Sequence, residues 1–204
     1  MLRLKGYLIT LCVAYLLIFL VNMILSLCSV CGFSVLFCFY YPLLMIVALL
    51  ALDFLAAGLV RLVPKRRINI HSKLYKTFGF ERKLYEKLGV RWFKDKIPDL
   101  GGALKGFAKA KINSNESAYL EDFVKETILG ELTHHLCILF GIAIFFVFPH
   151  YILNFALPEF LVNIYFNLLP IIVQRYNRPK LLKAYMRKLN NENNKNRGEE
   201  NELQ

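Results

Sequence analysis

Four runs of apolar residues dominate this sequence, and polar segments separate them into two pairs. Residues 6–52 contain no Asp, Glu, Lys, Arg or His. Because a transmembrane helix needs roughly 20 apolar residues, this stretch is too long for one span and suits two. Further runs at residues 136–157 and 160–173 form the second pair. The pattern predicts an all-α polytopic membrane protein with about four transmembrane helices in two hairpins.

The fourth run leaves two possibilities open. It is shorter than a full span, and it contains Asn163, Asn167 and Pro170. It therefore either crosses the bilayer or forms an interfacial or half-inserted helix.

The polar segments divide the chain into four regions. Residues 1–63 form an N-terminal transmembrane hairpin, and residues 136–189 form a C-terminal one. Between them, residues 64–135 are expected on the cytoplasmic side, where basic and aromatic residues alternate around Gly79 and predict two short amphipathic helices at the membrane surface. The last residues, 190–204, are rich in Asn and Glu and are predicted to be disordered.

Two parts of the middle region lack helical periodicity. Pro and Gly residues favour an ordered loop at residues 91–102. Small residues indicate a linker at residues 105–117.

The charge distribution predicts how the spans are oriented. The chain has 26 Lys and Arg against 15 Asp and Glu, a net charge of +11. With four spans, all 26 basic residues fall on one side, which the positive-inside rule identifies as the cytoplasm, together with both termini. Most of these cations border the apolar runs, where they attract anionic headgroups. Membrane lipid is therefore the expected partner, and nucleic acid is not.

One predicted helix carries residues that could support catalysis. It starts near Ala118 and runs into the third span. Its apolar face is formed by Leu120, Phe123, Val124, Ile128 and Leu132. At roughly 100° per residue, Thr127, Glu131 and His134 fall within an arc of about 60° in the middle of that face. Ionisable residues at membrane depth are read as functional by default.

Glu131 and His134 allow two interpretations. At i, i+3 spacing a carboxylate can orient an imidazole, which gives a general base near neutral pH. The pattern equally allows a structural contact that ties the helix to a neighbouring Arg. A metal site of this type needs a second Glu-x-x-His pair, which the sequence lacks, so neither a metal nor another cofactor is expected.

A second polar cluster follows the fourth run. It consists of Gln174, Arg175, Tyr176, Asn177 and Arg178. Two Arg at i, i+3 can bind phosphate or carboxylate oxygens in bidentate fashion. A positive-inside anchor would explain the two charges but not the polar residues between them. Inside the second run, Asp53 is expected to pair with a basic residue in a structural role.

Four short segments carry a family resemblance. They are LYKTFGFE at 74–81, VRWFKDKIPD at 90–99, the set Glu126-Thr127, Glu131-Leu132 and His134, and PIIVQRYNRP at 170–179. In this order they resemble the glycosyl-4,4'-diaponeurosporenoate acyltransferase family over roughly residues 74–188. The chain departs from the family, which tends to have Trp in place of Phe93, Arg-Ala at 129–130 and Trp in place of His135.

The resemblance implies a small bacterial membrane enzyme that completes a carotenoid glycolipid pigment of the staphyloxanthin type. Such an enzyme esterifies a sugar hydroxyl of a lipid-linked glycoside with a fatty acyl group. The expected partners are the glycolipid acceptor and an acyl thioester donor, either acyl-CoA or acyl carrier protein.

The resemblance also implies site residues. His134 would take the proton from the sugar hydroxyl, which attacks the thioester directly, and Glu131 would fix the imidazole. Arg175 and Arg178 would hold donor phosphates or the developing oxyanion. The further candidates for substrate binding are Gln174, Tyr176, Asn177, Lys94, Asp95, Glu126 and Thr127.

Two alternatives stay open at this point. One is an acyltransferase that uses a different glycolipid or a phospholipid as acceptor. The other is a non-enzymatic lipid-binding membrane subunit in which Glu131 and His134 make a packing contact.

Overall fold

A computed structural model describes residues 2–97, 116–147 and 151–202, and the regular elements in these ranges are helical. The α-helices are α1 (Leu2–Leu27), α2 (Val35–Arg61), α3 (Gly79–Lys87), α4 (Val90–Phe93), α5 (Ser117–Val147) and α6 (Leu157–Glu202). Four of them, α1, α2, α5 and α6, are long and apolar enough to cross a membrane. The prediction of an all-α protein with four candidate spans is confirmed.

Most outward-facing side chains of α1 and α2 are apolar. Leu17 and Ile24 on α1 are more than half exposed, and Phe54 on α2 is 75% exposed. Water-soluble proteins rarely expose apolar surface over such lengths. Lipid chains cover such a surface at no hydrophobic cost, which fits two membrane-spanning helices.

The fourth apolar run lies inside a single long helix. A π-helical turn at Ile152–Ala156 leads into α6, which ends at Glu202. At 1.5 Å per residue α6 is about 69 Å long, more than twice the roughly 30 Å hydrocarbon core of a bilayer. The run is therefore long enough to span, and α6 continues well beyond it. This continuation includes residues 190–202 of the segment predicted to be disordered, where no proline interrupts the helix.

The segment after α2 contains fewer amphipathic helices than expected. Of the two predicted, one is α3, which begins at Gly79, and the other is a single 3-10 turn at Lys73–Tyr75. The few residues between Ser72 and Phe78 are too short a stretch to offset the cost of helix nucleation. Within the predicted loop at 91–102, residues 91–93 belong to α4, while 98–102 and the linker at 105–115 lie outside the described residues.

The described residues divide into two compact units. The apolar unit takes residues within 1–62, 96–97 and 132–171, and the basic unit takes those within 63–95, 116–131 and 172–202. Both α5 and α6 contribute residues to each unit.

Each unit has its own packed interior. The core of the apolar unit is formed by Ile18, Met45, Leu49, Ile144, Phe155 and Ala156. Stacked and edge-to-face rings, among them Phe37 and Tyr41, pack against it. In the basic unit, Leu120, Val124 and Ile128 are fully buried, which confirms the predicted apolar face of α5.

Candidate active site

Two arginines of α6 and two glutamates of the basic unit form a closed ionic cluster. Arg175 donates from Nε and Nη2 to the two carboxylate oxygens of Glu81, at 2.8 and 2.6 Å. Its Nη1 donates to Oε1 of Glu131 at 2.7 Å. Arg178 Nη2 donates to the other oxygen of Glu131. Glu131 therefore bridges the two guanidinium groups, and we call Glu81, Glu131, Arg175 and Arg178 the ionic cluster.

Arg178 is the most enclosed member of the cluster. Its side chain is fully buried. Nε donates to Thr127 Oγ1 at 3.0 Å, Nη2 donates to the Thr127 carbonyl at 3.1 Å, and Nη1 donates to the Tyr75 carbonyl at 3.0 Å. A buried guanidinium is tolerated only when its charge is paired and its N–H groups are bonded, as they are here. Arg178 thus joins α6 to α5 and to the 3-10 turn that ends at Tyr75.

Glu81 is held as a carboxylate by its neighbours. Its burial alone would raise its pKa, but hydrogen bonds from Arg175, the Phe78 N–H and the Tyr85 hydroxyl outweigh burial and lower the pKa to about 2. Burial and the bond to Glu81 together raise the pKa of Tyr85 to about 12. The sequence had placed Glu81 in a family-like segment without giving it a role. A sequence signal for Glu81 is its position as the third residue of α3, where an acidic side chain can accept from the backbone N–H of the N-cap residue.

Other predicted site residues of the basic unit take separate partners. Tyr176 donates to Glu86 at 3.1 Å. Glu126 pairs with Lys65 at 3.0 Å. The Gln174 amide packs on α5 so closely that a Cβ added at Gly130 would lie 2.9 Å from its Nε2. Of the remaining candidates, Asn177 and Lys94 are half-buried and Asp95 is exposed.

In the apolar unit, His134 is held by an amide. Its Nδ1 lies 2.8 Å from Asn167 Oδ1. Nδ2 of the same amide donates to the Asn163 carbonyl at 3.0 Å, which identifies Oδ1 as the atom that faces the imidazole. Because an amide oxygen only accepts, Nδ1 carries the hydrogen, and the lone pair of a neutral imidazole lies on Nε2. Fixing the tautomer and the ring in this way prepares Nε2 to act as a base.

Asn167 belongs to a row of polar residues along α6. Glu159, Asn163 and Asn167 are spaced four apart, so they share one helix face, and all three are buried. They line a cavity together with Asp53 of α2, whose carboxyl lies within hydrogen-bonding reach of Asn167. Close packing with α5 requires Gly141, since a Cβ there would lie 2.7 Å from Asn163 Oδ1. The sequence had shown Asn163 and Asn167 only as interruptions of an apolar run, whereas their i, i+4 spacing from Glu159 was the signal of a shared face.

Comparison with known families gives one match. The model of the glycosyl-4,4'-diaponeurosporenoate acyltransferase family matches residues 71–187, which is more than half of the chain. The matched range contains the ionic cluster, His134 and the polar face of α6. No curated protein and no solved structure matches the chain.

Proposed function

Because the chain belongs to the glycosyl-4,4'-diaponeurosporenoate acyltransferase family, we propose that it esterifies a sugar hydroxyl with a fatty acyl group. The acceptor is a lipid-linked glycoside of the carotenoid type, and the donor is an acyl thioester. Members of the family are acyltransferases of a carotenoid glycoside, and the four candidate spans make this chain a multi-pass membrane protein. Both substrates carry long apolar chains, which suits a reaction at a membrane.

The contact between His134 and Asn167 is the observation that supports this chemistry most directly. Nε2 of His134 accepts the proton of the sugar hydroxyl while the hydroxyl oxygen attacks the thioester carbonyl. The tetrahedral intermediate then collapses, the C–S bond breaks, and the imidazolium returns the proton to the leaving thiolate. The products are the esterified glycoside and a free thiol. Direct attack needs no acylated nucleophile, and Cys137, at i+3 from His134, has its thiol buried near the Asp53 carbonyl.

The ionic cluster has a supporting role in this proposal. CoA and the carrier-protein prosthetic group both carry phosphate, and the basic unit holds a large excess of cations. Arg175, whose side chain is 16% exposed, is the member of the cluster best placed to contact such a donor. Arg178 is fully enclosed, and there it holds Glu131 and Thr127 in position.

The other assigned roles stay predictions. They are the orientation of His134 by Glu131, phosphate or oxyanion binding by Arg178, and substrate binding by Gln174, Tyr176, Asn177, Lys94, Asp95, Glu126 and Thr127. We also propose that both termini lie in the cytoplasm, on the side where the basic residues collect and where acyl thioesters are made.

Reconstitution tests the proposed reaction. The purified chain is placed in phospholipid vesicles with a carotenoid glycoside, and acyl-CoA or acyl carrier protein is added in separate reactions. We expect one ester and one free thiol per turnover with at least one donor, detected by mass spectrometry and a thiol reagent. Acylation of the phospholipid instead of the glycoside would favour the alternative acceptor. Absence of ester with either donor, although the protein is folded, would favour the non-enzymatic subunit.

A further inference from the structure

A carboxyl group that the proposed mechanism does not use is buried in the apolar unit. Glu159 is fully buried, and within the described residues neither of its carboxylate oxygens has a hydrogen-bond partner. The same holds for Oδ1 of Asn163 and Oδ1 of Asp53. A buried polar atom without a hydrogen-bond partner destabilises the folded protein. Several such atoms at one place indicate a site that a ligand completes.

All three unsatisfied residues line the same cavity. It lies among α1, α2 and α6 and has a volume of about 20 Å³. That is enough for one group the size of a water molecule, since such a group needs roughly 10–15 Å³. Six of its ten lining residues are apolar, and the other four, Asp53, Glu159, Asn163 and Asn167, supply carboxyl and amide groups. Together these groups can accept and donate hydrogen bonds. This combination of size and chemistry suits a hydroxyl group.

We propose that this cavity receives a hydroxyl group of the acceptor's sugar. Glu159, Asn163 and Asp53 are its hydrogen-bonding partners, while the sugar ring and the lipid chain stay outside the cavity. The inference rests on the proposed function, because the glycoside is the substrate that brings a sugar to this unit. Asn167 also lines the cavity and holds His134, so one residue links recognition of the sugar to the proposed base.

A metal ion is a poorer occupant than a hydroxyl. Among the residues that the structure describes, no group of three or more His, Cys, Asp or Glu could hold a metal ion. Instead, one carboxyl and two amides along α6, with the Asp53 carboxyl of α2, are the few polar groups in an otherwise apolar lining that typically orient a neutral ligand.

Binding of a simple glycoside tests the subsite without requiring catalysis. The full chain in lipid nanodiscs is titrated with radiolabelled dodecyl glucoside, and dodecanol serves as the probe without a sugar. We expect the wild-type chain to prefer the glucoside. Glu159→Leu and Asn163→Leu should each weaken glucoside binding at least tenfold and leave dodecanol binding unchanged. The matched control is Gly58→Ala in the same unit, where a Cβ meets nothing within 4 Å, and it should bind as the wild type does.

Several results would overturn the subsite. One is equal binding of glucoside and dodecanol by the wild-type chain. Another is wild-type affinity for the glucoside in both leucine variants. In either case the cavity would hold solvent only. If Glu159→Leu does not accumulate, Glu159→Gln keeps the size of the side chain and should still weaken glucoside binding severalfold. Unchanged binding in that variant counts against the subsite.

The subsite and the proposed function can fail separately. Sugar-selective binding that the leucine variants lose, without any ester formed, would leave the subsite standing and remove the acyltransferase activity. Acyl transfer by Glu159→Leu with a wild-type KM for the glycoside would leave the acyltransferase activity standing and remove the subsite. A raised KM for the glycoside with an unchanged KM for the thioester is the result that supports both.

Discussion

At the scale of single residues, the protonation of Glu81 controls the ionic cluster. The pKa of this carboxyl falls from an ordinary 4.5 to about 2 in the folded protein. A group whose pKa is lower in the folded state stabilises that state fully above its unfolded pKa. Its contribution is lost as the pH falls from about 4.5 towards 2. The stability of the basic unit should therefore depend on Glu81 at neutral pH and stop depending on it in strong acid.

Replacement of Glu81 by Gln makes this dependence measurable. We expect Glu81→Gln to lower the melting temperature at pH 7, because Arg175 loses a buried anionic partner. The difference between wild type and variant should stay constant above about pH 4.5 and shrink as the pH approaches 2. Thermal unfolding of the purified chain across this range measures it. Glu86→Gln is the control, since its partner Arg91 is 69% exposed and a Gln at 86 can still accept from Tyr176, so its loss of charge should matter little. A difference between wild type and Glu81→Gln that does not vary with pH would contradict the assignment.

The sequence allowed a contact between Glu131 and an Arg, which the structure confirms, but it did not identify the amide partner of His134. A helical wheel finds Glu131 and His134 because both interrupt an apolar face. Their partners come from positions far away in the chain: Arg178 is 47 residues from Glu131, and Asn167 is 33 residues from His134. Local periodicity has no information about such pairs, which depend on how α5 and α6 pack within each unit.

At the scale of helices, the close approach of α5 and α6 depends on Gly141. In Gly141→Ala the new methyl group would meet Oδ1 of Asn163 at 2.7 Å, so this short, buried side chain, which also lines the cavity, would have to shift. We expect a loss of about 1–3 kcal/mol in stability, typical of overpacking. Unfolding in detergent measures it, and Gly58→Ala should cause no loss. Equal stability of the two variants would show that α5 and α6 do not pack as closely as described.

The long helices were predictable, whereas of the two short amphipathic helices predicted only α3 forms. The run at residues 6–52 clearly predicts two spanning helices, because a segment in lipid must satisfy its own backbone hydrogen bonds and a helix does so. The 3-10 turn at Lys73–Tyr75 depends instead on a local balance between nucleation and capping by Ser72. The spacing of apolar and basic residues favours a helix there, but it carries no information about the cost of nucleation or about capping by Ser72.

At the scale of the whole molecule, the number of spans determines where the termini lie. With four spans, our proposal puts both termini on the cytoplasmic side with the basic residues. We expect a fluorescent protein that folds only in the cytoplasm to fluoresce when fused to either terminus. Alkaline phosphatase, which is active only outside the cytoplasm, should be active when fused after Gly32 and inactive when fused at the C-terminus. Phosphatase activity at the C-terminus would require an odd number of spans.

The turnover number of a His134 variant, compared with that of a His135 variant, tests whether His134 is the catalytic base. Histidines 134 and 135 lie side by side on α5, but only His134 has the described bond to Asn167, and His135 is exposed. With equal amounts of folded protein in vesicles, His134→Ala should lower the rate of ester formation at least 100-fold, the effect expected of a lost general base. His135→Ala should stay within a few-fold of wild type. Wild-type turnover in His134→Ala would show that His134 is not the base. An equal loss in both variants would contradict the specific role of His134.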